Sequence, residues 1–593
     1  MKKLRFILSF IFFLVPTVYA FNFSDFYFLG DSLSDVGNGD SAPYSNGLVW
    51  TELLASKYGK SVTASDKGGN NYAHGGARTD YTSPGQRSGH TNRGLLSQVD
   101  EILAQHPKLD GNALYSVWAG GNDLLEWVSG GGDYNQVVNE ATNNLSAAMT
   151  KLHNAGARYI ILGNLTDISE TPLLSGLSPE EKKAIALVSR LFDSTLLTKV
   201  NSLGFKVIQV DYYGLFDDIV HYGSKFGFSH PYNEICPTSN GTVRDCSGYI
   251  FSDGVHPTQQ AYQVVADYNY SIVTAPNYYA YLAETPLRFI TSADNAIQQQ
   301  LKQQDILSAL NKNHTFITGD YEPHTVVPYD GDRIGNRSHQ TNVVVGGFMP
   351  FNDRWLLGGA LSYVEDVTHL ASSVFSYETN SPMLSIFAQY HWPRFYVSGF
   401  ADGGILRYVD IERKVSLGSN TFVVKGSSSG RQLGLGLDSG YWFSFANFRT
   451  GPVINAYYKY ISVDGYTETG NTGDSYARIN YGDQNNESLV TGIGWQADYK
   501  RLVKDIVVTS SAYVTGNHDW YTRDRDIDFH VESLSGSKGS LPINTATTSY
   551  MVANATLGLT FNNGITTTLG YVGMFGSHHL ENNSFNIGVS TVF

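Results

Sequence analysis

Cysteine is nearly absent: 593 residues contain two, Cys236 and Cys246. A dense disulfide scaffold is therefore excluded, and no second Cys/His pair at metal spacing is present to build a zinc site. Charge is scarce as well, 16% of residues, and the formal balance of −14 comes without any long Lys/Arg run. That argues against a nucleic-acid partner. Long apolar runs are missing after the first twenty residues, so a membrane helix has nowhere to be. The nucleophile elbow Gly-x-Ser-x-Gly is missing around Ser32. What the chain has in excess is glycine (60), tyrosine (39) and aromatics in general (13%), a balance unlike disorder and suited to many turns and amphipathic strands. Its length calls for two or more domains.

Residues 1–20 read as a secretory leader. Lys2, Lys3 and Arg5 precede an apolar centre from Phe6 to Val15, and Val18-Tyr19-Ala20 makes a small-x-small cleavage site. Between Phe23 and about Ala275, short apolar strands (Phe26–Leu29, Ala113–Ala119, Tyr159–Leu162, Lys206–Val210) alternate with helix-length amphipathic stretches (Gly47–Tyr58, Leu95–Gln105, Tyr134–Asn154, Pro179–Ser202). Strands without polar alternation, separated by helices, predict a parallel sheet covered on both faces, a three-layer α/β domain. Leu287–Leu310 has few helix breakers; a helix of about 25 residues is about 37 Å long, enough to thread a pore or to link two domains.

From Thr315 to Phe593 the helical period gives way to alternation in about twelve segments: Thr315–Thr318, Thr341–Phe348, Trp355–Val364, Met383–Trp392, Arg394–Asp402, Gln432–Phe443, Phe448–Ile461, Ser488–Tyr499, Ile506–Thr515, Ser549–Phe561, Thr566–Val572 and Ser584–Phe593. Aromatics at segment ends, as in Tyr390-His-Trp392, suit the girdles of a barrel closed in a membrane; closure is needed because an open edge in hydrocarbon leaves backbone groups unpaired. A soluble sandwich is the alternative. Cys236 and Cys246 flank a turn-rich stretch and predict either a small disulfide-closed loop in an oxidising compartment or two unpaired surface thiols.

The chemistry concentrates in four places. The run Phe26-Tyr-Phe-Leu-Gly30-Asp31-Ser32 delivers a serine at the end of a buried strand, where open α/β sheets bind ligands. Asp253-Gly-Val-His256 places a carboxylate three residues before an imidazole, a spacing from which Asp253 could orient His256 as a base. Between them lie Asn71-Tyr-Ala-His74-Gly75-Gly76 and Gly120-Gly121-Asn122-Asp123. Taken in order, these stretches resemble the four catalytic blocks of the GDSL (SGNH) esterases and lipases, and the remainder resembles the autotransporter branch of that family.

That resemblance implies an SGNH-hydrolase passenger domain (21–278), a linker and barrel-lumen helix (279–313) and a 12-stranded antiparallel transmembrane β-barrel (314–593). It implies Ser32 as nucleophile, His256 as base and then acid, and Asp253 as the residue holding the imidazole tautomer. The oxyanion hole would be the backbone N–H of Ser32 and of Gly76 with the side-chain amide of Asn122; Gly76 suits close backbone approach because it has no Cβ. Asp35 and Asn38 are assigned structural hydrogen bonds, and His74 no catalytic role. No metal or cofactor is implied. The expected activity is hydrolysis of carboxylic esters, through an acyl-serine, by a monomer facing the exterior of a bacterial outer membrane. Its partners would be an ester or lipid substrate, outer-membrane lipid and, during export, the Sec translocon and barrel-assembly machinery. Acyl transfer by the same residues, and an adhesin on a former esterase fold, are the alternatives.

Overall fold

A computed structural model describes residues 23–40, 42–83, 92–239, 242–243, 245–308, 311–326, 335–471, 473–521, 525–543, 549–575 and 583–593. The expected leader lies outside them.

Four parallel strands, β1 (Phe26–Gly30), β2 (Leu114–Trp118), β3 (Tyr159–Gly163) and β4 (Ile208–Val210), stand side by side in that order. In register, Phe26 faces Leu114 and Gly30 faces Trp118, so β1 and β2 end together. Each strand is apolar nearly throughout because both faces are covered. On one face Phe26, Phe28, Trp118, Ile161 and Ile208 pack with the helices α1 (Trp50–Ser56), α6 (Tyr212–His221) and α7 (Gln259–Glu284). On the other, Leu29, Val117, Ile160, Leu162 and Val207 meet α2 (Leu95–Gln105), α4 (Tyr134–Ala155) and α5 (Pro179–Asn201). α5 begins as its sequence requires: Ser178 Oγ accepts from the N–H of Glu181, whose carboxylate accepts from the N–H of Ser178, with Pro179 at the first position. The helical pattern of Gln259–Tyr268 in the sequence falls on α7, whereas α3 (Gly121–Gly130) and α6 are additional to the helices expected from the sequence.

α7 runs unbroken from Gln259 to Glu284 with Pro276 inside it, so the boundary expected between 278 and 279 falls within a helix. α8 (Leu287–Leu307) follows after two residues and occupies the lumen of the barrel.

Twelve antiparallel strands form that barrel, from His314–Val326 to Asn583–Val592, and the pairing of Asn420–Tyr441 with Phe448–Val463 closes the ring. Every expected segment falls on one of them. Along Asn420–Tyr441, Leu433, Leu435 and Leu437 point outward and are more than half exposed, while Gln432 and Asp438 are buried inside. An apolar exterior around a polar lumen is the pattern of a barrel in lipid. α8 meets a polar side of the lumen, where Gln299 Nε2 donates to Thr556 Oγ1 at 2.7 Å and Gln303 Nε2 to Thr509 Oγ1 at 2.8 Å. It also meets an apolar side, where Ala296, Ile297 and Leu301 pack on Phe316, Phe348, Phe387 and Phe400. Gly558 gives the helix room, since a Cβ there would lie 2.7 Å from Gln303 Nε2.

Above the membrane band the pattern inverts. In Phe395–Leu417, Val397 and Ile405 face out, but past them Leu406, Tyr408, Ile411, Val415 and Leu417 face in. These extended strands enclose α7 rather than water, so apolar residues move to the inner face. Loops between strands add a second small sheet (466–467, 479–481, 525–531, 539–543). It joins the apolar core of the α/β domain through Ile479, Phe529 and Val531, with Tyr476 of the connecting turn. The N–H of Val207 donates to the carbonyl of Lys538 at 2.9 Å, and Tyr268 Oη to the carbonyl of Tyr476 at 2.8 Å. Arg413 and Glu468, both buried, pair at 2.6 Å beneath this junction.

Candidate active site

The C-terminal ends of β1 and β2 set the site. β1 stops at Gly30 because its edge is occupied by a side chain: Gln98 of α2 accepts from the Gly30 N–H and donates to the Gly30 carbonyl, both at 2.8 Å. Gly30 has φ 153°, and a Cβ there would strike the Trp118 carbonyl, so only glycine lets the two strand ends lie this close. The chain turns, with the N–H of Ser34 bonded to the carbonyl of Asp31, and Ser32 sits at the turn.

His256 arrives from a loop on the other side. The Asp-x-x-His spacing works through a local turn: Asp253 Oδ1 accepts from the N–H of Val255 and of His256, each at 2.9 Å. That brings His256 Nδ1 to 2.7 Å from Asp253 Oδ2 and leaves Nε2 pointing away, 2.8 Å from Ser32 Oγ. α7 starts immediately after, capped by Thr258. Burial would raise the Asp253 carboxyl, but the His256 hydrogen bond and charge and two backbone N–H groups outweigh it and hold the group at about 2. It is therefore a carboxylate across the physiological range and fixes the tautomer with Nδ1–H toward itself.

Gly76 and Asn122 lie in adjoining turns. Asp35 organises the first: it accepts from the N–H of Gly37 and of Asn38 at 2.8 Å and from that of Gly75 at 2.9 Å. Asn38 Nδ2 donates to the carbonyls of Asn71 and Ala73, at 2.8 and 2.9 Å. The block holding Gly76 is thus tied to the block holding Ser32 by buried side chains, and Gly76 itself takes φ 71°. Asn122 Nδ2 donates to the carbonyl of Ala77 at 2.9 Å, which orients its amide, and Asp123 accepts from Thr79 Oγ1 at 2.7 Å. Among the described residues the N–H groups of Ser32 and Gly76 donate to no backbone carbonyl.

The structure therefore brings Ser32, His256 and Asp253 into one hydrogen-bonded row, and ties Gly76 and Asn122 together through Ala77. His74 is buried beside them. A disulfide joins Cys236 to Cys246 with Cα atoms 5.3 Å apart, and the N–H of Cys236 donates to the carbonyl of Phe251, just before Asp253. Gln98 and the Thr79–Asp123 link escape a reading of the sequence; a glutamine inside an amphipathic helix has no local signal, since its partner is 68 residues away. A small cleft lined by Leu33, Phe216, Phe251, Val255 and Pro257 has acidic Asp167, Glu170 and Asp217 at its sides and room for about two waters.

Three buried carboxyls belong to the turns around the serine. Desolvation pushes Asp31 up to about 7, and Asp35 and Asp123 to about 6, although backbone N–H groups pull each down. A carboxyl whose folded value is raised binds its proton more tightly in the folded state, so its stability contribution fades as pH rises from about 4 to about 7. Thermal unfolding of the α/β domain should accordingly occur at a higher temperature at pH 5 than at pH 8. Asp31→Asn should narrow that difference by raising the pH 8 value; an unchanged difference would exclude Asp31 as its source.

Residues 26–269 match the model of the GDSL-like Lipase/Acylhydrolase family and residues 328–572 that of the Autotransporter beta-domain. Among curated relatives, an "Uncharacterized protein in trpE-trpG intergenic region" of Pseudomonas putida is 28% identical over 88% of this chain and 92% of its own. "Esterase EstA" of Pseudomonas aeruginosa is 27% identical over 84% of this chain and 79% of its own. "Lipase 1" of Photorhabdus luminescens is 24% identical over 82% of this chain and 83% of its own. With one model on the α/β half, the other on the barrel and relatives spanning both, the chain joins a GDSL-like lipase/acylhydrolase domain to an autotransporter β-domain.

Proposed function

We propose that this protein hydrolyses carboxylic esters at the bacterial surface, with Ser32, His256 and Asp253 as its catalytic row and the barrel as its anchor in the outer membrane. The observation that carries the reading is the continuous row from Asp253 through both nitrogens of His256 to Ser32 Oγ. As Ser32 Oγ bonds to the ester carbonyl carbon, its proton passes to His256 Nε2. The carbonyl oxygen takes the electron pair and becomes an oxyanion, which the N–H groups of Ser32 and Gly76 and the Asn122 amide receive. Collapse breaks the carbon–oxygen bond to the leaving group, and His256 returns the proton to the departing alcohol. Water repeats the cycle on the acyl-serine and releases the acid. Asp253 stays ionised throughout and stabilises the imidazolium.

The cleft lined by Leu33, Val255 and Pro257, the chain neighbours of Ser32 and His256, is small, which supports short acyl groups over fatty ones. Export through the Sec translocon and insertion by the barrel-assembly machinery belong to the same reading. The shared apolar core of loops and α/β domain supports an enzyme that stays attached. Whole cells bearing the protein should hydrolyse p-nitrophenyl acetate and butyrate faster than the palmitate ester. External protease should remove that activity. Activity confined to lysed cells would refute surface display, and a preference for palmitate would refute the short acyl site.

A further inference from the structure

Tyr44 lies in the segment 42–49 that precedes α1, outside all four sequence blocks. Its ring is buried and packs on His256, with centroids 4.9 Å apart and planes tilted by 38°. Its hydroxyl end lies against Gly75: a Cβ on Gly75 would collide with Tyr44 Oη, Cζ and Cε2. Gly75 is the residue that Asp35 holds by its N–H, one position before Gly76. One side chain therefore fills the space between the imidazole and the turn carrying Gly76.

The segment is fastened to the residues that follow His256. Ser45 Oγ donates to the Pro257 carbonyl at 3.2 Å, the Gln259 N–H to Asn46 Oδ1 at 2.7 Å, and the Leu48 N–H to Gln259 Oε1 at 3.0 Å. Tyr44 and His256 are thus parts of one hydrogen-bonded unit, although 212 positions separate Ser45 from Pro257.

The two hydrogen bonds of the imidazole, to Asp253 and to Ser32, lie along the line through its two nitrogens. They fix where the ring is but leave it free to rock about that line. A ring packed against it at this distance and tilt restricts that freedom. The aromatic face is also the negative side of the tyrosine quadrupole, so it attracts a cation more strongly than a neutral ring. His256 is neutral before attack and cationic once it has taken the serine proton. Contact that strengthens only in the transition state raises kcat and leaves KM alone.

We propose that Tyr44 is a positioning residue for this reaction, setting the plane of His256 and stabilising its imidazolium while bracing the Gly75–Gly76 turn. This rests on the Ser32–His256 reading above. The test uses the full-length protein, purified in detergent, with a soluble p-nitrophenyl ester. Tyr44→Leu should lower kcat about tenfold with KM nearly unchanged, and Tyr44→Phe should retain most of the wild-type kcat. If Tyr44→Leu does not fold, as judged by thermal unfolding, Tyr44→Met replaces it in the same comparison. Wild-type kcat in the ring-less variant overturns the proposal. So does a change confined to KM, or a loss in Tyr44→Phe as large as that in Tyr44→Leu, which would place the effect in the hydroxyl. Ser32→Ala run alongside separates the two levels: if it is inactive while Tyr44→Leu is fully active, only the role of Tyr44 falls.

Discussion

Ser32→Ala should leave the protein folded, inserted and displayed, with kcat lower by roughly 10⁵ to 10⁶. No acyl intermediate can form without Oγ, and no other hydroxyl among the described residues bonds to His256 Nε2. The fold should tolerate the change, because what disappears is one hydrogen bond at a turn, worth about 1 kcal/mol. β1 is held by its pairing with β2 and by Gln98, neither of which involves the serine side chain. A residual rate above water is expected from the donors at Gly76 and Asn122, which remain in place. The measurement is turnover of p-nitrophenyl butyrate by equal amounts of displayed wild type and variant, with surface quantity fixed by antibody against the α/β domain. Wild-type turnover in the variant would remove Ser32 from the chemistry and with it the whole row.

Much of this arrangement is legible in the order of the amino acids, for a definite reason. Strands buried on both faces are unbroken apolar runs, so β1, β2 and β3 stand out from their surroundings. Asp253 and His256 interact through a local turn, and local geometry is written in spacing. The barrel strands are visible within the membrane band, where lipid requires an apolar outer face. Beyond it the same strands continue, but Phe375, Tyr377, Tyr408 and Val415 turn inward against α7, and alternation reverses its meaning. That reversal is why the segment expected over Met383–Trp392 is in fact Phe375–Trp392, and the one over Arg394–Asp402 extends to Leu417. The small loop sheet escapes for a related reason. Its segments 466–467 and 479–481 are too short to show any period, and their stability comes from an apolar surface supplied by Ile208, Tyr212 and Tyr268 far earlier in the chain. Tyr44 and Gln98 belong with them, since each acts on a partner distant in sequence and carries no local mark of doing so.

Asp253→Asn is the second substitution with a large expected effect, and its logic differs from that of Ser32. An asparagine fits the same turn and can still accept from the N–H groups of Val255 and His256, so the loop and the position of the imidazole should survive. What changes is the side of His256 that faces it. The carboxylate accepts from Nδ1–H and leaves Nε2 with its lone pair toward Ser32 Oγ. An amide can offer its NH₂ instead, which favours the tautomer with hydrogen on Nε2 and so leaves no base at the serine. It also withdraws the negative charge that stabilises the imidazolium. Together these should lower kcat by about 10⁴ at neutral pH. The pH dependence offers a second check. In the native enzyme burial would raise the carboxyl, but the His256 hydrogen bond and charge and the backbone donors outweigh it and hold the group at about 2. A depressed carboxyl contributes stability above its unfolded value, and that contribution is lost as pH falls from about 4 to about 2. Above about pH 5, then, no loss of activity should trace to protonation of Asp253. Part of the Asn deficit should return at high pH, where hydroxide can take the serine proton directly. A deficit that is the same at about pH 7 and about pH 10, or smaller than about tenfold throughout, would show that Asp253 holds the loop and not the tautomer.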